Sequence, residues 1–368
     1  MMDGLRRILV LIGSGELAPP MAKVHREVMR MLAGEGTGVR RRPALQAAIV
    51  DTPYGFQSNA DALSAELVGF FGGRLGLHAT LASLRRSDGD LVGRETALAR
   101  IREADFVFSG PGSPSYAVRH WAGGPVPQLF ADKLLGGGAL VMASAAAATL
   151  GRLTMPVYEI YKSGEDPHWL PGLDVLAAID LDACVIPHWN NGEGGDHDTR
   201  YCFLGERKLR LLEEQLPDDV FILGIDEHTA LLIDVDRAQA VVHGRGGVTT
   251  RHRGVGTFYP AGTHVPLDDM RRSKVGDTVA APGRPEEEPD DAVALAQRVV
   301  ELDDQVAALT EKSLLADRLM EALIELRRAA RADGDFATAD AIRDRLHGLG
   351  IEVQDSAGGT SDYRRGSY

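Results

Sequence analysis

A chain of 368 residues, 44% hydrophobic and 25% charged, has an ordinary globular composition and is long enough for one large α/β domain plus a further module. Its net charge of −13 gives no general reason to expect binding to nucleic acid or an anionic membrane. The two cysteines, Cys184 and Cys202, form no Cys-x-x-Cys pair, which argues against a zinc knuckle or disulfide framework and predicts a reducing, cytoplasmic location.

The first apolar run, Arg7 to Ile12, starts almost at once, so no signal peptide is expected, and no run approaches the ~20 residues of a membrane span. Gly13-Ser14-Gly15-Glu16-Leu17-Ala18 then imitates a dinucleotide fingerprint. Pro19 and Pro20 would remove N–H donors from the first helical turn, however, and Asp51 lies well beyond the ~20-residue spacing of a ribose-binding acid. A tight strand-end turn is the better account, and no cofactor is expected. Further short apolar runs cover Ala47 to Asp51, Asp105 to Ser109 and Ala139 to Met142, with helix-length stretches such as Ala60 to Phe71 and Gly93 to Ala104 between. Apolar strands spaced by helices predict a doubly wound, mostly parallel sheet covered on both faces.

The loop Phe108-Ser109-Gly110-Pro111-Gly112-Ser113-Pro114 sits at a strand end, where glycines let backbone N–H groups face a crevice as an oxyanion hole requires. Alone it reads equally as an ordinary strand-to-helix loop. The next strand runs into Ser144 and then Ala145-Ala-Ala-Ala148, the layout of a nucleophile elbow that presents a serine hydroxyl beside a helix N-terminus. The plain alternative is a buried strand followed by an alanine-rich core helix.

A nucleophilic serine needs an imidazole and a carboxylate that fixes its tautomer. His188, directly after the run Ala183 to Pro187, is held at a strand end; His197, in Gly195-Asp196-His197-Asp198, is the alternative base. Gly224-Ile225-Asp226-Glu227-His228-Thr229-Ala230 offers the carboxylates. Runs at Val175 to Ile179, Ala183 to Pro187, Val220 to Asp226, Ala230 to Asp234 and Ala240 to His243 are closely spaced and predict further strands, as an antiparallel extension near the domain's end. His188 and His197 with Asp196 and Asp198 match no tight metal motif, so no metal is expected.

Composition changes around residues 268–290. The stretch from Ser273 to Asp291, with three prolines and a Glu286-Glu287-Glu288 run, reads as a solvated linker. This divides the chain into an α/β domain over 1–268, a linker over 269–291 and a helical module over 292–368. Leu295, Val299, Leu302, Val306 and Leu309, continued by Ser313, Ala316, Met320 and Leu323, repeat as a heptad seam, a basis for coiled-coil pairing in a homodimer. Asp335 can cap a second helix ended by Gly348 and Gly350. Between Lys312 and His347 seven basic and seven acidic residues cancel, a weak platform for phosphates, although Arg327, Arg328 and Arg331 form a local patch.

Residues 5 to about 265 resemble the cyanophycinase and dipeptidase E family of serine peptidases, which has a class I glutamine amidotransferase-like fold. The likeness rests on the opening strand with Gly13-Ser-Gly-Glu16, Ala104-Asp-Phe-Val-Phe-Ser-Gly-Pro-Gly112, the serine and histidine after their strands, and Gly224-Ile-Asp-Glu-His-Thr-Ala230. It implies Ser144 as nucleophile, His188 as base, Glu227 as orienting acid, and N–H groups of Ala145 and of Gly112 or Ser113 as oxyanion hole. It also implies a small peptide or amide substrate, favouring acidic peptides, for which Arg119, Arg200 and Arg207 are candidate partners. The family pattern Gly-x-Ser-Ala-Gly is broken by Met142 and Ala146. About residues 315–365 resemble the C-terminal helical region of cysteinyl-tRNA synthetases, through Leu326 to Arg331, Asp335 to Leu346 and Gly350 to Asp355. No His-Ile-Gly-His motif or zinc-binding cysteine set accompanies them, so synthetase activity is not expected. The rival reading is a catalytically silent binding or scaffold protein whose tail docks RNA or a translation partner.

Overall fold

The computed structural model describes residues 5–34, 45–194 and 197–272, some residues between 327 and 343, and the backbone of 351–355 and 361–365. The chain divides into two compact units, Met1–Arg284 and Pro285–Tyr368.

In the first unit, β1 (Arg7–Ile12) is fully buried after its first residue. Helix α1 (Pro19–Leu32) opens with two prolines where no intrahelical N–H is needed, and buries Met21, Val24, His25, Val28 and Leu32 on one face. The winding continues through β2 (Gln46–Val50), α2 (Ala60–Gly69), β3 (His78–Ala82), α3 (Leu91–Glu103), β4 (Phe106–Ser109), α4 (Pro114–Trp121), α5 (Val126–Gly136), β5 (Gly138–Ala143) and the single-turn α6 (Ala145–Ala148). Then come β6 (Leu153–Thr154), α7 (Val157–Tyr161), β7 (Leu170–Pro171), β8 (Ala183–Ile186), α8 (Arg200–Phe203) and α9 (Gly205–Glu213). Strands β9 (Phe221–Ile225), β10 (Thr229–Asp234), β11 (Gln239–Gly244), β12 (Gly247–His252), β13 (Val255–Pro260) and β14 (His264–Pro266) precede α10 (Leu267–Arg271).

The main sheet has eight strands in the order β14-β11-β10-β1-β5-β4-β2-β3. From β1 to β3 every pairing is parallel; β10, β11 and β14 add antiparallel strands beyond β1, in line with the expected extension. Two apolar cores cover its faces, one including Leu9, Leu11, Val107, Leu140 and Met142 and the other Ile8, Val10, Phe106, Ala139 and Val141. Alternation along each strand places neighbours on opposite faces, so the continuous apolar runs supply both cores.

Three details depart from the sequence reading. Strands β8 and β9 pair in parallel in a separate four-stranded sheet, β13-β12-β9-β8. Val175–Ile179 is a 3₁₀ turn, not a strand, bracketed by Asp174 and Asp180, both at φ 54°. Leu267 and Met270 are fully buried in the main core, so this unit packs beyond residue 268.

The second unit holds helical residues at 327, 330, 336, 339, 340, 342 and 343, with Arg327 and Ala339 buried. An antiparallel pair not anticipated from sequence, β15 (Ile351–Asp355) and β16 (Ser361–Arg365), closes it in register Ile351 to Arg365. The heptad seam from Leu295 to Leu323, the Asp335 cap and the stop at Gly348 and Gly350 lie outside the described residues. Among the described residues no helix is long and apolar enough to cross a membrane.

Candidate active site

The carboxyl ends of β4, β5 and β8 meet in one crevice, where open α/β sheets bind ligands. Ser144 follows β5 at φ 50°, ψ −118°, a region costing a non-glycine residue about 1–3 kcal/mol. Its N–H donates to the Ile12 carbonyl (2.9 Å), and Ala146 N–H donates to the Gly110 carbonyl (3.2 Å), tying the turn to the ends of β1 and β4. Met142 stays in β5 opposite Leu11 and Ser109, and Ala146 takes helical backbone, so neither position requires glycine.

His188 stands two residues beyond β8, also at positive φ (49°). Its Nε2 is 3.0 Å from Ser144 Oγ and its Nδ1 is 2.8 Å from Glu227 Oε1. A carboxylate only accepts, so Nδ1 carries the proton and Nε2 is left as acceptor for the serine hydroxyl. Glu227 lies between β9 and β10. The hydrogen bond from His188 is the main cause holding its carboxyl below the ordinary glutamate value; burial opposes this, and Asn191 Nδ2 donates to the same oxygen at 3.2 Å. Asn190 Oδ1 accepts the Glu227 N–H at 2.8 Å. These two amides fix Glu227 in place, a role that only their adjacency to a strand-end histidine hints at in the sequence.

Gly112, at φ 141°, passes so close to Pro53 that a Cβ would lie 2.0 Å from its carbonyl oxygen, so glycine is required. Among the described residues nothing takes the N–H of Gly112 or of Ala145. The N–H of Ser113 is committed to the Pro53 carbonyl (2.8 Å), and Ser113 Oγ accepts the Tyr116 N–H to cap α4. Ser113 Oγ is also 3.0 Å from Ser115 Oγ, which donates to Glu159 Oε1 at 2.6 Å.

His197 is exposed, its N–H on the Gly194 carbonyl, and does not line the cavity beside Ser144. Asp226 accepts the Gly247 N–H (2.8 Å). Gly13 and Gly15 form a strand-end turn pressed against Asp226 and His228: a Cβ would lie 2.0 Å from the Asp226 oxygen or 2.3 Å from the His228 ring. Asp51 is spent on Ser83, Leu84 N–H and Arg85. Arg200 forks onto Asp198 (2.8 and 2.9 Å), Arg119 and Arg207 are exposed, and none of the three lines the cavity.

The cavity measures about 340 Å³ and opens against Ser144, Ala145, Gly112 and His188. One wall comes from α7 and one from α8. In α8, Tyr201, Cys202 and Phe203 run left-handed at φ 60°, 57° and 67°, at about 1–2 kcal/mol per residue. The turn persists because Tyr201 N–H donates to Trp189 O (2.8 Å), Cys202 N–H to His188 O (3.1 Å) and Phe203 N–H to Thr199 O (2.8 Å). It thereby clamps the peptide that carries the imidazole. No residue in this stretch signals it, since none favours positive φ.

The fold and site together define a mostly parallel α/β domain with a serine, a histidine and a glutamate in hydrogen-bonded series at the sheet's carboxyl edge. Its architecture is that of a solved peptidase from an acI-B1 actinobacterium, similar at 21% identity and TM-score 0.56 over 72% of this chain and 98% of that one. A Peptidase E protein of Listeria monocytogenes aligns at 14% identity and TM-score 0.40 over 67% and 98% of the two chains. In the second unit, residues 317–364 match the Cysteinyl-tRNA ligase anticodon binding domain. Cysteine–tRNA ligases of Salinibacter ruber (48% identical over 68 residues, 18% of this chain) and Dichelobacter nodosus (47% over 62 residues, 17%) are similar there. The chain spans 13% and 14% of the length of those two ligases.

Proposed function

We propose that the first unit is a serine hydrolase that cleaves a peptide or amide bond. The observation that carries this is the series Ser144 Oγ, 3.0 Å, His188 Nε2 with His188 Nδ1, 2.8 Å, Glu227 Oε1. Ser144 Oγ bonds to the substrate carbonyl carbon as its proton passes to His188 Nε2, and Glu227 stabilises the imidazolium. The oxyanion is met by the N–H groups of Gly112 and Ala145, the latter at the start of α6. The C–N bond then breaks, and His188 gives the proton to the departing nitrogen. An acyl ester on Ser144 remains. Water loses a proton to His188 and adds to the acyl carbon; the ester bond breaks, and the proton returns to Ser144 Oγ. The positive φ of Ser144 is the elbow geometry that aims the hydroxyl at this crevice.

A fluorophosphonate probe tests the reading: it labels the wild-type chain and fails on Ser144→Ala and His188→Ala. An unlabelled wild-type chain would sink the hydrolase in favour of a silent binding protein.

A second reading concerns the tail, favoured by the match over residues 317–364: this unit binds tRNA. Salt-sensitive tRNA binding by the full chain, lost on truncation after Arg272, is the expected result; equal binding by both chains counts against it.

A further inference from the structure

The cavity beside Ser144 has a consistent chemical gradient. Its buried wall is made of Ala148, Met155, Val157 and Cys202, with Tyr161 and Phe203 half-buried above them. Burial pushes the Cys202 thiol up to about 12, so it stays neutral and acts as apolar surface. The rings of Tyr161 and Phe203 stack at 5.0 Å and 28°, and Phe203 lies 6.5 Å from His188. The cavity's two charged liners, Lys162 and Glu193, are both exposed. Lys162 Nζ rests 4.6 Å from the Tyr161 ring centre. The polar Thr199 is committed to the backbone, its hydroxyl bonded to Gly194 N–H (3.1 Å) and Asn191 O (3.4 Å).

The chain reaches this arrangement at the cost of backbone strain. Cys202 and Phe203 arrive at the wall through the left-handed turn, a conformation that persists only where its surroundings impose it. Against the buried wall of Ala148, Met155, Val157 and Cys202 a charged group would lose its water with no charged side chain beside it, since Lys162 and Glu193 stand exposed, whereas an apolar group gains by burial.

We infer that this recess takes an apolar, preferentially aromatic, acyl side chain of the substrate, so that the site selects uncharged over acidic acyl groups. The inference rests on Ser144 being the nucleophile, and the test separates the two. Aminoalkyl diphenyl phosphonates carrying benzyl, isobutyl, carboxymethyl or aminobutyl side chains transfer phosphorus to an active serine, with phenol leaving. They report side-chain preference whether or not any amide is turned over.

With the full chain, the benzyl and isobutyl probes should inactivate at least about 10-fold faster than the carboxymethyl and aminobutyl ones. In Phe203→Ser the benzyl advantage should fall below about threefold, and Tyr161→Ser gives an independent comparison should the first variant not fold. A flat profile or a carboxymethyl preference overturns the inference. So does labelling by a small fluorophosphonate with no reaction of any of the four probes. If Ser144 reacts with nothing, the hydrolase reading itself has failed.

Discussion

Removing the guanidinium of Arg251 tests how the wall of the site is held. Arg251 on β12 is 10% exposed; its Nε and Nη2 donate to Glu213 Oε2 at 3.0 and 2.7 Å, and its Nη1 and Nη2 to Glu206 at 3.2 and 2.9 Å. Both carboxylates belong to α9, directly after the left-handed turn, and the guanidinium lies 5.8 Å from the Tyr201 ring centre. Arg251→Met leaves Glu213, 6% exposed, without its counter-charge, a loss of about 3–5 kcal/mol. For a unit of this size each kcal/mol moves Tm by about 2–4 °C, so thermal unfolding should shift down by roughly 6–20 °C. Replacing the whole set, Arg251→Met with Glu213→Leu and Glu206→Gln, should recover most of that loss, because no buried charge is then stranded. A pH series gives a second readout. Arg251 is the main cause holding the Glu206 carboxyl down at about 2. Its contribution is therefore complete above the ordinary glutamate value and is lost as pH falls towards about 2; Arg251→Met should lack that window. A single variant within about 2 °C of wild type, or a triple variant no more stable than the single, would refute the reasoning.

Glu227→Gln offers an N–H where His188 Nδ1 now donates, which favours the tautomer with Nε2 protonated; fluorophosphonate labelling should slow by about 10³–10⁴, and a loss under about 10-fold counts against the assignment. Ser144→Gly should be more stable than Ser144→Ala by about 1 kcal/mol in urea unfolding, since only glycine adopts φ 50° without penalty; equal stabilities would mean no strain is held there. His25 is wholly buried among Phe70, Phe71, Phe106 and Phe108, and burial lowers its pKa from 6.5 to about 4. The folded chain thus resists its protonation, so this contribution is intact above about 6.5 and lost as pH falls to about 4, at most about 3 kcal/mol. His25→Leu should flatten the pH dependence of denaturant unfolding in that window, and an unchanged slope would be the contrary result.

The strands of the parallel sheet were legible because burial on both faces leaves a continuous apolar run, as in Ala139 to Met142. Val175 to Ile179 looks the same and is a 3₁₀ turn; five apolar residues do not distinguish a strand from a short helical segment that packs equally well. The side chains that meet at Ser144 were readable from strand ends and family likeness, but the amides of Asn190 and Asn191 that hold Glu227 were not, because their partner is 36 or 37 residues away. The turn at Tyr201 to Phe203 was beyond reach for a stronger reason. It contradicts local propensity, and hydrogen bonds to Trp189, His188 and Thr199 impose it from outside. The same logic explains why Met142 and Ala146 can replace glycines: the turn at Ser144 is held by Ile12 and Gly110 and does not depend on glycine's freedom at either position. Among the described residues ten non-glycine positions have positive φ, and four of them, Ser144, His188, Cys202 and Phe203, line this one cavity. Local rules therefore fail most densely where the tertiary structure has spent stability to aim side chains at a single volume, which is where a functional site is expected.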